Sequence, residues 1–149
     1  MENYSNPKAS AQHRLGGRAV DGAMYLVTLG IGWFIWSMVV WGQGQTPGKQ
    51  ILKMRVYDKT TGKPAKWGQM AIREFLLPLS FTIPFYVVAA VFYLDPNFAT
   101  TSFIGLVIMY VGILAISLTD AVWIFRGTAK NRLVDLIAKT DVINEAPNL

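Results

Sequence analysis

Three long stretches of this chain contain no charged residue, and they set the main limit on its fold. They cover residues 22–41, 75–94 and 96–119, in runs of 20, 20 and 24 residues. About 20 apolar helical residues, each rising about 1.5 Å, cross a hydrocarbon core of roughly 30 Å. The runs therefore predict a small integral membrane protein of one domain. They argue against a soluble enzyme, a disordered tail and a secreted disulfide scaffold.

The charged residues lie between these runs. Of 149 residues, 14 are Lys or Arg and 9 are Asp or Glu, which gives a net charge of +5. The basic residues fall in the N-terminal arm, in a loop over 43–74 and in the tail, which covers 126–143, whereas 95–102 contains none. This distribution follows the positive-inside rule and is not typical of a nucleic-acid-binding face. We expect the basic loop and the C-terminus to be cytoplasmic, with anionic lipid headgroups as partners of the loop.

The sequence divides into a mobile polar arm over 1–11, a membrane domain over 12–143 and a short C-terminal end over 144–149. Three apolar segments in the domain predict helices, and they cover about 18–42, 75–94 and 102–125. The fold class that we expect is an all-α membrane protein. It would be a small helical bundle of three apolar segments with a short β-hairpin-like loop on its cytoplasmic surface.

The first apolar segment leaves two arrangements open. About 22 residues follow Val20, which suffices for one span but not for two. One span would put the N-terminal arm and the basic loop on opposite faces, against the charge rule. A helical hairpin that turns at Gly30 and Gly32 would keep both on one face, provided that its turn is buried in protein or wet. We favour the hairpin.

Shorter patterns complete the outline. Residues 50–58 are β-prone, residues 59–64 favour a turn, and the stretch 132–143 favours a short amphipathic helix with a strand left open. Pro78 and Pro84 should kink the second helix, since each removes a backbone donor. We also expect a turn at 95–97, a cap at Thr101 or Ser102 and a helix end at Gly127. The five tryptophans should anchor the protein at the membrane interface or pack internally.

Ionisable side chains near membrane depth are the strongest functional signal. Asp21 comes one turn into the first apolar segment, and Asp120 lies inside the third. Arg14, Arg18 and Asp21 share one helix face by their spacing. A carboxylate at this depth costs roughly 2.5–3.5 kcal/mol, so it should find a partner. The expected pairs join Arg14 or Arg18 to Asp21, Asp120 or Asp135.

Two interpretations of this Arg/Asp set stay open. A carboxylate in a low dielectric has a raised pKa and could pass on a proton or a cation. The set could instead be a buried ion-pair cluster that holds the first helix to the third helix and to the tail.

The motif loop after the first apolar segment contains Gln45, Thr46, Pro47, Gly48 and Lys49. It does not fit a phosphate-binding loop, because Gln43 and Gln50 stand where that motif requires glycine and Ser/Thr. We expect a tight turn at the membrane exit, with Lys49 facing headgroups. With one histidine and no cysteine, the sequence predicts no metal site, no cofactor and no enzyme activity.

These residues, in this order, resemble the bacterial RDD family of membrane proteins, named for one arginine and two aspartates. The matching stretches are RLGGRAVDG, GQTPGKQILKMRVYD, the IRE at 72–74 and RLVDLIAKTDVI. The resemblance implies that Arg14 is the arginine of the first helix. It also implies that Asp21 and Asp135 are the two aspartates, and that Asp120 stands where many members carry an acidic residue. Members often have two full spans before the TPGK motif, whereas this chain has one run of about 22 residues.

The resemblance implies a protein of the bacterial plasma membrane, and transport of ions or small ligands is suggested for the family. In that case Asp21 and Asp120 would carry protons or cations, while Arg14 and Arg18 would set their pKa. Three short helices are few for a pathway, so a homo-oligomer is expected. The alternative is a non-catalytic accessory or assembly subunit of a larger membrane complex. The small size of the protein favours that alternative, and so does an aromatic surface that comprises Trp33, Trp36, Phe81, Phe85 and Phe92.

Overall fold

A computed structural model describes residues 6–94, 98–125 and 131–145 of the chain. The turn expected at 95–97 and the helix end at Gly127 lie outside what it describes. The expected helix start at Thr101 or Ser102 is wrong, because the helix that spans Phe98–Trp123 already includes both residues.

The first apolar segment forms a helical hairpin. Helix α1 spans Ala11–Val27 and α2 spans Ile31–Val40. Gly30 lies between them with a φ of 79°, a left-handed conformation that suits glycine. The indole Nε1 of Trp33 donates to Oδ1 of Asp21 at 3.0 Å, although the two residues are 12 apart in sequence. In one continuous helix they would be about 18 Å apart. Helix α2 therefore folds back on α1, and of the two arrangements the hairpin is formed.

Neither helix of this hairpin is long enough to cross a bilayer. Their 17 and 10 residues correspond to about 26 Å and about 15 Å, against a hydrocarbon core of roughly 30 Å. The turn satisfies its own backbone donors. The Gly30 N–H donates to the Tyr25 carbonyl at 2.6 Å, and the Trp33 N–H donates to Oγ1 of Thr28 at 3.1 Å. Leu29 beside them is 85% exposed, so other parts of the described chain do not bury the turn.

The basic loop contributes a strand with a short hairpin-like turn after it, but the ladder partner of the strand lies elsewhere in the chain. A 3-10 turn at Trp41–Gln43 and helix α3 at Pro47–Ile51 lead into strand β1, Met54–Asp58. Its antiparallel partner is β2 at Thr140–Asn144, with Asp58 opposite Thr140. The loop beyond the turn meets β1 in an isolated bridge at Pro64, where the Asp58 N–H donates to the Lys63 carbonyl at 2.9 Å and the Ala65 N–H donates to the Val56 carbonyl at 2.8 Å. The strand partner therefore comes from the tail.

The described end of the N-terminal arm is attached to this sheet. The Ala9 N–H donates to the Val142 carbonyl at 2.9 Å, and the Asn144 N–H donates to the Pro7 carbonyl at 3.0 Å. Ala9 is buried, and the hydroxyl of Ser10 caps α1. From residue 7 onwards the chain thus differs from the mobile arm that its polarity predicts, because its backbone groups extend the sheet.

Two long helices follow the basic loop. Helix α4 at Trp67–Ala71, a π-turn at Ile72–Leu76 and helix α5 at Leu77–Tyr93 form one continuous segment that stays helical through Pro84. Helix α6 spans Phe98–Trp123 and returns beside α5. A Cβ on Gly105 would lie 2.7 Å from the Cβ of Phe92, and one on Gly112 would overlap the ring of Phe85. Close antiparallel packing of α5 and α6 therefore depends on these two glycines.

The buried apolar core lies next to the sheet. Helix α7 at Leu133–Ile137 and β2 form from the tail and cover this core. Trp41 packs edge-on against Trp67, with ring centroids 5.5 Å apart. The buried members of the core are Ala9, Trp41, Met54, Val56, Ala65, Met70 and Val142.

The two long helical segments, unlike this core, are mostly exposed. The segments Trp67–Phe92 and Phe103–Trp123 are long and apolar enough to cross a membrane, by length and composition. Within their most apolar windows, none of the first and 17% of the second is buried.

Candidate functional site: a charged junction

Nine charged side chains meet where the α1–α2 hairpin, the long helices and the tail come together. Seven of them line one small cavity of about 20 Å³, and two join through ion pairs. We call this set the charged junction. Its members are Arg14, Arg18, Asp21, Lys49, Arg73, Glu74, Asp120, Arg132 and Asp135.

Asp135 lies at the centre of the junction and is 0% exposed. Its Oδ2 accepts from Nη1 of Arg14 at 3.2 Å and from the backbone N–H of Arg132 at 3.1 Å. Its Oδ1 accepts from Nε of Arg73 at 2.8 Å and pairs with Nη2 of the same side chain. Burial alone raises the pKa of Asp135, but Arg73, Arg132 and Arg14 together hold this pKa below its ordinary value. The carboxylate is therefore ionised.

Arg73 and Glu74 enter the junction side by side. The Leu77 N–H donates to the Ile72 carbonyl five residues back, so the helix widens at this point. Arg73 is 1% exposed, and its Nη1 donates to Oε1 of Glu74 at 2.7 Å. The Nζ of Lys49 donates to the same oxygen at 2.8 Å. The prediction that Lys49 faces headgroups is thus wrong, because this buried ion pair draws its side chain inward.

Asp120 ties the end of α6 to the tail. Its Oδ2 accepts from Nε of Arg132 at 2.9 Å and also pairs with Nη2 of that arginine. Its Oδ1 accepts from the Val134 N–H at 3.3 Å, at the start of α7. Both side chains of the ion pair are buried. The pair therefore fixes α7 against α6.

Asp21 binds the motif loop, and neither arginine of α1 pairs with it. Its Oδ2 accepts from Oγ1 of Thr46 at 2.6 Å. Its Oδ1 accepts from the Gly48 N–H at 2.7 Å and from Nε1 of Trp33 at 3.0 Å. Three donors in fixed positions thus hold this carboxylate at the start of α3.

The motif loop is built to approach α1 closely. A Cβ on Gly48 would overlap the carbonyl oxygen of Gly17, so only glycine fits there. The hydroxyl of Thr46 caps α3 by accepting from a backbone N–H. The side-chain amide of Gln45 donates to the Met54 carbonyl at 2.9 Å, which joins the loop to the sheet. These contacts explain the TPGK pattern as a packing motif.

Arg18 is the exception within the junction. In the part of the chain that the structure describes, its side chain has no hydrogen bond and no ion pair. It is exposed, and it lines a cavity of about 230 Å³ together with Tyr25, Trp33 and Glu74. An arginine without a partner beside a cavity is a candidate for binding a ligand.

The structure brings together all five residues that the sequence singled out. Arg14 pairs with Asp135, one of the expected pairs, whereas Arg18 pairs with no described carboxylate. Sequence reasoning missed the roles of Arg73, Glu74 and Arg132. A signal was present for the first two, since they are the last charged residues before the uncharged run over 75–94.

No group of three or more His, Asp or Glu side chains that could hold a metal ion occurs among the described residues. The Nε2 of His13 lies 2.9 Å from the Leu52 carbonyl oxygen, where it fastens α1 to the end of α3.

Comparison with known proteins gives one family. Residues 8–139 match the model of the RDD family, a range that contains all nine residues of the charged junction. No curated protein and no solved structure matches the chain.

Proposed function

Because the chain belongs to the RDD family, we propose that it is a non-catalytic, multi-pass protein of the bacterial plasma membrane. In this proposal it binds a small ion or ligand at the charged junction and takes part in its transport. The observation that carries the proposal is Arg18, the one member of the junction that has no partner among the described residues and that lines an open cavity.

Exposure of the long helices supports the membrane assignment. The core helix of a soluble protein would be buried, but the apolar windows of Trp67–Phe92 and Phe103–Trp123 are almost entirely unburied. Leu94 is 82% exposed and Phe103 is 69% exposed. Contiguous apolar surface of this kind is unfavourable in water and favourable in hydrocarbon.

The α1–α2 hairpin supports a topology with both termini in the cytoplasm. Because its two helices are too short to span and fold back on each other, the hairpin would enter the bilayer and return to the same face. The sheet joins the N-terminal arm, the basic loop and the tail. Lys53, Lys63 and Lys66 are exposed in the basic loop and remain available to anionic headgroups, unlike Lys49.

The contacts favour ligand binding at Arg18 over a proton relay through Asp21 and Asp120. A relay needs carboxylate oxygens that are open to an incoming proton or cation. Here the oxygens of Asp21 accept from Thr46, Gly48 and Trp33, and those of Asp120 accept from Arg132 and from the Val134 N–H, so protein donors already occupy them.

Reconstitution in liposomes tests the transport proposal. We expect the protein to dissipate an imposed gradient of Na⁺, K⁺ or phosphate, followed with an internal pH dye or by ion analysis. Arg18→Gln should remove most of this flux, because it removes the unpaired charge without breaking an ion pair. Lys63→Gln, in the exposed loop, is the matched control and should leave flux unchanged. Absence of flux in every gradient would contradict transport, and loss only in Asp21→Asn and Asp120→Asn would favour the relay.

A second candidate is an accessory or assembly subunit, and the exposed face of α6 favours it. Phe103, Tyr110 and Leu114 are exposed on this helix. Phe85 and Phe92, expected as part of an aromatic docking surface, instead pack against glycines of α6. This candidate predicts that the protein is silent alone and purifies with one partner in a fixed ratio.

A further inference from the structure

We propose that Arg18, with Arg132 lining two of its three cavities, binds one oxyanion of the phosphate or carboxylate class. This inference rests on the proposed function, in which the charged junction is the ligand site. It adds the sign of the ligand, its chemical class and the residue that holds it.

The charge balance of the junction favours an anion. The nine side chains comprise five basic groups and four carboxylates. Four of the basic groups pair with carboxylates: Arg14 and Arg73 with Asp135, Lys49 with Glu74, and Arg132 with Asp120. The fifth is Arg18. A cation that forms no ion pair with any described residue, at the edge of an apolar region, is costly, and a bound anion lowers that cost.

The cavities place Arg18 where an anion can reach it. It lines the wide cavity of about 230 Å³, the small central cavity and a third of about 40 Å³. Arg132 lines the second and third of these as well. Among the charged neighbours of Arg18, Arg132 lowers the pKa of its guanidinium group most. Two guanidinium groups that face shared space can donate to one oxyanion, since both carry several N–H donors in a planar fork.

The carboxylates near Arg18 do not take this role. Asp21 lines the wide cavity, but its two oxygens accept from Thr46, Gly48 and Trp33. Glu74 lines it as well, and its Oε1 accepts from Arg73 and Lys49. Their charges are compensated by these donors, so an incoming anion would meet an excess positive charge at Arg18.

The third cavity bears on the source of the oxyanion. Besides Arg18 and Arg132 it is lined by hydroxyl residues and by apolar side chains of α5 and α6, among them Phe81 and Ile116. A phospholipid could place its phosphate headgroup at the two arginines and its acyl chains along these helices. A free phosphate would use the same donors, so the shared chemistry is the oxyanion and experiment must identify its source.

Binding measurements on the full chain test the inference. In one arm, native mass spectrometry counts phosphatidylglycerol retained by protein purified in mild detergent. In the other, calorimetry titrates inorganic phosphate into delipidated protein. We expect Arg18→Gln to weaken binding at least about tenfold, which matches the loss of one charge-assisted hydrogen bond. Arg18→Lys should retain part of the affinity, and Gln12→Ala, at an exposed position of α1, should bind as the parent protein does.

Each outcome decides the question. Retention of the lipid that depends on Arg18 identifies a lipid oxyanion, and phosphate binding without lipid retention identifies a free one. Equal binding by the parent protein and Arg18→Gln, in both arms, would overturn the inference, provided that the variant unfolds at the same temperature. Binding without flux would leave the inference standing and contradict transport. Flux that is unaffected by Arg18→Gln, in a protein that binds neither the lipid nor phosphate, would contradict the inference and leave transport standing.

Discussion

Replacing Asp135 with asparagine is expected to lower the free energy of unfolding by about 3–5 kcal/mol. The substitution keeps the volume of the side chain but removes its charge. Arg14 would then lose its ion pair with Asp135, and Arg73 would lose one of its two carboxylate partners, although both arginines are buried. Because a buried charge that loses a compensating carboxylate bears more of its desolvation cost, the loss should exceed that of an ordinary hydrogen bond.

Chemical unfolding in detergent measures this loss. Asp58→Asn is the matched control, because Asp58 accepts local hydrogen bonds from the Thr60 N–H and the Thr61 hydroxyl in an exposed turn, and asparagine keeps one acceptor oxygen. Its cost should stay within about 1 kcal/mol. If Asp135→Asn cost no more than this control, the ion pairs at the centre of the junction would not stabilise the fold.

Acid should reproduce part of the effect of Asp135→Asn. The pKa of Asp135 is lower in the folded protein than its ordinary value of 3.8. Its contribution to stability is therefore complete above that value and is lost as the pH falls through the folded pKa. Asp135→Asn should lack this component of acid destabilisation.

The pair of Asp120 and Arg132 provides the second large effect. Asp120→Asn and Arg132→Met should each cost about 3–5 kcal/mol, because each leaves a buried charge unpaired. The double variant should cost less than the two single losses together, by about 2–3 kcal/mol, since it leaves neither charge behind. Asparagine keeps an acceptor for the Val134 N–H, so the cycle isolates the ion pair.

Unfolding of the four proteins of this cycle gives the coupling energy directly. Gly68→Ala, at an exposed position of α4 where a Cβ meets nothing within 4 Å, serves as a reference outside the charged junction that should combine additively with either substitution. Costs of Asp120→Asn and Arg132→Met that add within about 0.5 kcal/mol would show that the two side chains act independently.

The uncharged runs were enough to locate the two long helices, because length and hydropathy are local properties. They could not decide the form of the first segment, since its length allowed both arrangements. That choice depends on the left-handed backbone at Gly30 and on the contact between Trp33 and Asp21, residues 12 apart. The local pattern also located β1, but not β2 as its partner, because the pairing joins the basic loop to the tail.

The sequence could predict several residues of the candidate site, but not which of them pair with each other. Charges at the ends of apolar runs indicated Arg14, Asp21 and Asp120, since charged groups at such depth need partners. Which group pairs with which depends on tertiary geometry. Asp21 takes donors from the motif loop and Arg73 takes the place beside Asp135, so Arg18 has no described partner. The spacing of residues along one helix could not predict these pairings.

The topology of the α1–α2 hairpin is the most direct test of the account, because it determines which side of the membrane holds the charged junction. The chain has no cysteine, so single cysteines can be introduced and labelled with a membrane-impermeant maleimide. Suitable exposed positions are Gln12, Leu29, Lys63 and Leu94. We predict that Gln12→Cys and Lys63→Cys react only from the cytoplasmic side, Leu94→Cys only from outside, and Leu29→Cys from neither. Labelling of Gln12→Cys only from outside would contradict the hairpin and with it the cytoplasmic junction.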